Sequence, residues 1–320
     1  MKVAHWTFLN GSGLSNMAVD ICSTEVLLGS ESVLCNTADT STWGLGMDAD
    51  IHVVHSHIPD SLSLDKSKKL VVVEHGSPEH VFEKSVTDGL KGNYGPSDSL
   101  AMLGFFLKRA DAVVSFWPRQ SAIWENMTNA KVYTIPMGVD KEFWKPVQKQ
   151  NLLTGNPSIL TGENCHTCKW PLDLMLMWPN IVKALPEARV HFINIPYDQH
   201  MWWVPLSYMT GTRYTTYMTA TKLGKENLRN FFCASGFYYS PVQYGDHNRV
   251  CLEAAACGAK VISYKGNQYS HYWITEGDQR EQTKELLDIL SGNVTERKPL
   301  DVPTIEYTAS LMLELYKELV

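Results

Sequence analysis

The groups in this 320-residue chain best suited to chemistry fall just after short apolar runs. In NRVCLEAAACG, Asn248 to Gly258, one carboxylate, Glu253, stands among small apolar residues, and Arg249 precedes it by four positions. The start of a helix offers free N–H groups and a positive dipole end, which favour an anion. Arg249 adds a mobile charge there, and Glu253 could accept hydrogen bonds from the vicinal hydroxyls of a ribose. A carboxylate in that place serves equally well to complement the helix start. Upstream, GENCHTCKW, Gly162 to Trp170, offers Lys169, a cation able to meet a diphosphate. The segment NGSG, with Gly11 and Gly13, follows the first apolar run; glycines let backbone approach a phosphate or sugar, and they also make ordinary tight turns. HSH (His55 to His57) and EHGSPEH (Glu74 to His80) close two further runs. A neutral imidazole can donate to a sugar hydroxyl or carry a proton, or simply be satisfied at a strand end. Glu74 stands beside His75 and could orient it.

These residues need elements to place them. KVAHWTFL, IHVVHSH, KLVVVEH, AVVSF and KVYTIP are continuous apolar runs separated by helical patterns such as LSNMAVDICSTEVLLG and PRQSAIWENMT. Strands buried on both faces and alternating with helices specify a parallel α/β sheet. Ligands of such sheets bind beyond the carboxyl ends of the strands, where the groups above lie. The rhythm breaks at Met137 to Pro157, a polar stretch with prolines and glycines, which sets a domain boundary at 146/147. The pattern restarts with SILTG, a helix over 171–183, RVHFINI, KENLRNFFCAS, GFYYSP, NRVCLEAAACG and AKVISYKG. The aromatic segment Tyr197 to Gly224 has no period and stays unassigned. In the C-terminal YTASLMLELYKELV, Leu311, Leu313, Leu315 and Leu319 are the expected core contacts.

Composition bounds the partners. With 28 basic and 34 acidic residues the net charge is −6, so no general attraction to nucleic acid or an anionic membrane exists. KSKK (Lys66 to Lys69) and TKLGKENLR (Thr221 to Arg229) are local basic spots that keep nucleic acid among the candidate partners. No run approaches the length of a membrane span, and no secretory leader is read at the start. Seven scattered cysteines imply a reducing, cytoplasmic setting without a disulfide framework, which makes the Asn126 and Asn293 glycosylation patterns accidental. Cys165-x-x-Cys168 lacks a second ligand pair, so no metal is expected there.

Taken together and in order, these pieces resemble the GT-B glycosyltransferases of family 4, also called group 1. FYYSPVQYGDHNRVCLEAAACGAKVI (Phe237 to Ile262) is similar to that family's strand, acidic loop and Glu-bearing helix. VYTIPMGVDKEFWKP (Val132 to Pro146) resembles its interdomain stretch, and ILTGENCHTCKWPLDLML its lysine-bearing loop. The resemblance covers about residues 1 to 265 and implies two Rossmann-like domains, 1–146 on the acceptor side and 147–320 for the nucleotide sugar. Their parallel sheets would face across a cleft, and the last helix could pack back on the first domain. It implies a retaining transferase that uses a nucleotide-diphosphate sugar as donor and needs no other cofactor. His75, Lys169 and Arg249 would then act in catalysis, and Gly11, Gly13, Asp246, Asn248 and Glu253 would hold the donor. His57 and Glu74 would lie on the acceptor side, where a saccharide, a small molecule or a modified nucleobase would bind. Three positions depart from the family pattern: Gly245 stands in place of its first Glu, Trp170 in place of a Gly, and Glu163 or Asn164 in place of an Arg. A nucleotide-sugar-binding protein without turnover is the competing reading of the same fold.

Overall fold

The computed structural model describes residues 1–9, 11, 13–55, 63–75, 107–148, 152–162, 171–195, 197–219, 223–243 and 248–320. The chain divides into two compact units, Met1–Asp140 with Pro303–Val320, and Lys141–Val302. The change of unit lies between Asp140 and Lys141, six residues before the expected boundary, and the last helix belongs to the first unit.

In the first unit the strands are β1 (Lys2–Thr7), β2 (Glu31–Asn36), β3 (Ile51–Val54), β4 (Lys69–Glu74), β5 (Ala112–Ser115) and β6 (Lys131–Thr134). All neighbours run parallel, in the order β2-β1-β3-β4-β5-β6. The middle strands β3 and β5 are buried along their whole length, which is why they read as unbroken apolar runs. Helix α1 (Gly13–Leu27) follows β1, and α2 (Pro118–Glu125) follows β5 with a proline at its first turn, where a missing N–H costs nothing. One face of the sheet buries Ala4, Trp6, Val54, Leu70, Val72, Val113 and Trp124 in a single cluster.

The second unit holds β7 (Ser158–Thr161), α3 (Leu172–Ala184), β8 (Arg189–Phe192), α4 (Tyr197–Met209), β9 (Thr216–Met218) and α5 (Lys225–Ala234). They are followed by β10 (Phe237–Ser240), α6 (Arg249–Ala256), β11 (Lys260–Tyr264), β12 (Tyr272–Ile274) and α7 (Gln279–Leu290). Its sheet is again parallel, in the order β12-β11-β10-β7-β8-β9. The core gathers Leu174, Trp178 and Ile181 of α3, Val190 and Phe192 of β8, and Leu286 and Ile289 of α7. The aromatic segment that lacks a period folds as α4 and β9, with Pro205 inside the helix. Trp203 is buried there, its ring 4.7 Å from that of Phe192.

Helix α8 (Ile305–Leu319) packs against α1. It buries Ile305, Thr308, Ala309, Met312, Leu315 and Tyr316, a stripe spaced three and four residues apart. Of the four leucines expected in the core only Leu315 is fully buried. Leu311 and Leu313 are two positions apart and therefore cannot share a helix face. The return of the chain to the first unit is sewn by Val139, whose N–H donates to Pro303 O at 3.1 Å and whose carbonyl accepts from Ile305 N at 3.0 Å. Beside it Thr308 Oγ1 donates to Pro136 O at 2.7 Å. Gly138 lies so close to Thr304 that an added Cβ would overlap the Thr304 carbonyl. Gly138→Ala must therefore push this seam apart. It should lower stability by about 1–3 kcal/mol, as overpacked sites do, read as a lower urea midpoint with little change in slope.

Candidate functional site

In the second unit the chain begins at β7 in mid-sheet, builds outward through β8 and β9, then crosses back to place β10 on the other side of β7. In open α/β sheets ligands bind at such a reversal of strand order, beyond the carboxyl ends of the strands, here β7 and β10. Thr161 ends β7 and Ser240 ends β10; both side chains are fully buried. Thr161 Oγ1 and Ser240 Oγ have no hydrogen-bond partner among the described residues, and neither does Asn248 Nδ2. These three are among eleven such atoms spread over the described residues of both units, and their place at the ends of β7 and β10 and at the start of α6 is where a ligand's polar groups would be accommodated.

Helix α6 is the next element after β10 and packs on it. Asn248 is its N-cap, and the side-chain oxygen accepts from Cys251 N at 2.9 Å. Arg249 Nε donates to Glu253 Oε1 at 2.7 Å, and both side chains are only 7% exposed. The two residues whose chemistry stands out in the sequence therefore act as a pair. The spacing of four puts them one above the other on the helix, and burial removes the water that would weaken the bond. Lys169 and Asp246 lie outside the described residues, as does Cys165-x-x-Cys168.

The first unit carries a second grouping. Gly11, with a positive φ of 67°, and Gly13, the first residue of α1, shape the turn after β1. His75 follows β4, and its Nε2 meets His55 Nδ1 at 2.8 Å. His55 Nε2 meets His5 Nδ1 at 2.9 Å, and His5 Nε2 meets Glu25 Oε2 at 2.8 Å. Ser32 Oγ donates to Glu25 Oε2 at 2.6 Å and Tyr316 Oη donates to Glu25 Oε1 at 3.1 Å. The rings lie on neighbouring strands: His5 in β1, His55 just past β3, His75 just past β4. Glu25, His5, His55 and Tyr316 are buried, and His75 is half-buried. Burial, then the neighbouring His75 and His5, hold His55 well below the usual imidazole range. Burial, then Glu25, pushes the Tyr316 hydroxyl well above the usual phenol range.

Glu74 does not orient His75. Consecutive strand residues point to opposite faces, so His75 is steered by His55 while Glu74 is buried on the other side. Burial pushes the Glu74 carboxyl up from 4.5 to about 7. His57 lies outside the described residues. His5, Glu25 and Tyr316 are the site residues that sequence reasoning passes over. Their signal is a histidine inside an apolar strand and a carboxylate that continues the buried helix row Met17, Ile21.

The local basic spot at Lys66 to Lys69 is largely neutralised. Lys68 pairs with Asp50 at 3.5 Å and Lys69 with Asp111 at 3.1 Å. Among the described residues no cluster of metal-ligating side chains occurs, and no helix is long and apolar enough to cross a membrane. The five described cysteines are free and buried.

No protein-family model matches the chain, and no curated protein sequence does either. Solved structures match over its whole length. A sucrose-phosphate synthase from Thermosynechococcus elongatus superposes with a TM-score of 0.74 at 13% identity, covering 100% of this chain and 99% of that one. Both six-stranded sheets are thereby accounted for. The chain has the GT-B fold of glycosyltransferases. HepE from Anabaena, solved with UDP and glucose, is similar at TM-score 0.65 and 13% identity, covering 100% and 99% of the two chains. An alpha-glucosyltransferase solved with UDP and a 13-mer DNA containing an HMU base is similar at 0.64 and 14%, covering 91% and 90%.

The raised pKa of Glu74 has a consequence for the GT-B chain's stability. The folded state keeps this proton up to about pH 7, whereas the unfolded chain releases it near 4.5. Between those values the folded state binds more protons, so stability falls as pH rises. Glu74→Gln should abolish this slope and raise stability at pH 8 by about 1–3 kcal/mol. Urea melts at pH 5 and pH 8 measure the difference; equal shifts at both pH values would contradict it.

Proposed function

We propose that the chain is a retaining glycosyltransferase that moves a sugar from a nucleotide-diphosphate sugar to an acceptor hydroxyl. The observation that carries this reading is the buried Arg249–Glu253 pair at the start of α6, set at the strand-order reversal of a GT-B fold. The ligands of the similar structures, UDP and UDP-glucose, make a uridine diphosphate sugar the first donor to test.

In the reaction the bond from the anomeric carbon to the diphosphate oxygen breaks, a bond to the acceptor oxygen forms on the same face of the sugar, and the acceptor hydroxyl loses its proton. Negative charge grows on the diphosphate. Lys169, Arg249 and the first N–H groups of α6 would stabilise it, and fixed charges and dipoles of this kind supply most of the acceleration in many enzymes. Glu253 would hold the ribose hydroxyls, with Arg249 locking its carboxylate in one orientation. Asn248 and Asp246 would complete the donor site. Gly11 and Gly13 would let the turn after β1 approach the diphosphate. His75 would contact the donor sugar, with His57 and Glu74 near the acceptor. The pairing of Lys68 and Lys69 with aspartates favours an acceptor other than DNA, although one similar structure was solved with DNA.

Glu253→Gln keeps shape and a hydrogen-bond acceptor for Arg249 while removing the charge. It should weaken binding of UDP-glucose at least tenfold, about 1.4 kcal/mol, in calorimetric titration, with the circular dichroism of the fold intact. A panel of sugar nucleotides should raise the melting temperature of the native chain for its true donor. Unchanged affinity in the folded variant would reject this donor site.

A further inference from the structure

We infer that Glu25, His5 and His55 are positioning residues that hold His75 in a single tautomer, forming one buried proton path from the strand ends to Glu25. The direction of every bond in the chain follows from its inner end. Glu25 receives three hydrogen bonds, from Tyr316 at 3.1 Å, Ser32 at 2.6 Å and His5 at 2.8 Å. Three donors converging on one fully buried carboxyl suit the ionised form, which only accepts. As a neutral imidazole His5 carries its hydrogen on Nε2 and leaves Nδ1 as acceptor, whereas an imidazolium there would donate from both nitrogens. His55 Nε2, 2.9 Å away, must be the donor to it. The same logic at the 2.8 Å contact makes His75 Nε2 a donor to His55 Nδ1. His75 is left with Nδ1 as its proton-accepting atom, at the half-buried end of the chain.

Such a chain does more than fix orientation. A proton taken by His75 Nδ1 is balanced by one transfer per link. His75 Nε2 gives its proton to His55 Nδ1, His55 Nε2 gives its proton to His5 Nδ1, and His5 Nε2 gives its proton to Glu25. The three rings end as Nδ1–H tautomers and Glu25 as a neutral acid, so no charged imidazole is stranded in the core. The reverse sequence returns the proton. Among the described residues, the titratable groups that face the path are Glu25 and Cys22 on α1, Tyr316 on α8 and the three rings themselves; burial, then Glu25, pushes Cys22 up to about 12, so it stays neutral. The identification of an acceptor hydroxyl as the source of the proton rests on the glycosyltransferase reading; the tautomer order does not.

The test is chosen to separate the two. Long-range proton–nitrogen correlation spectra of the full chain with 15N-labelled histidine read each tautomer without any substrate. At neutral pH His5, His55 and His75 should all be Nε2–H. In Glu25→Gln the amide can donate as well as accept, so His75 should become a mixture of tautomers. If that variant does not fold, Tyr316→Phe removes one donor to the carboxylate and should change the ring 15N resonances of His5 and, through His55, of His75. An Nδ1–H form of His75 in the native chain would overturn the proposal. So would a folded Glu25→Gln, or a Tyr316→Phe, with an unchanged His75 spectrum. Where an acceptor is known, Glu25→Gln should lower kcat at least tenfold and displace its pH profile with KM for the donor little changed. An inactive native chain with the predicted tautomers would reject the transferase reading alone.

Discussion

A carboxylate at the centre of a folded unit has to be answered from several sides, and Glu25 organises the first unit on that account. Its partners come from three elements far apart in sequence: His5 on β1, Ser32 on β2 and Tyr316 on α8. Removing any one leaves an uncompensated share of charge in a dry interior, which costs more than the hydrogen bond itself contributes. The carboxylate therefore fixes where α8 lies on α1, while the apolar stripe of α8 supplies most of the area buried. The same point holds at smaller scale for Arg249 and Glu253, whose 2.7 Å ion pair offsets part of the cost of burying both charges.

Much of the architecture was legible in the sequence for one reason. A parallel sheet with both faces covered needs continuous apolar strands, and KLVVVEH or AVVSF admit few other readings. The helix start near residue 248 was legible too, and the structure makes Asn248 its N-cap. Where local signals were absent, the pattern could not be read. Helix α4 carries a proline and no apolar stripe, and β9 has three residues. Helix α7 is amphipathic with an aspartate cap, yet the family resemblance ends before it. The phase of α8 does not follow its leucines, and the true stripe runs through Thr308, Ala309 and Tyr316.

The candidate site divides along the same line. Arg249 and Glu253 were visible as residue types, but Arg249 was read as a mobile charge, whereas the structure holds it in a buried ion pair with Glu253, its neighbour four positions on. The histidine chain was not visible as a unit. His5, His55 and His75 are separated by 50 and then 20 positions, and only the strand order β1-β3-β4 makes them adjacent. Glu74 misled because it is next to His75 in sequence, while a strand sends neighbours to opposite sides.

The first unit is built from two separate lengths of chain, residues 1–140 and 303–320, with a whole unit inserted between them. On a chain made from its N-terminal side, all of the inserted unit, Lys141–Val302, is synthesised before the last helix of the first. Until Tyr316 emerges, Glu25 lacks one of its donors and the α1 surface that α8 covers stays open to water. The inserted unit thus draws all its strands from one continuous length of chain, whereas the first unit needs α8, from beyond the insertion, to complete the shell around Glu25.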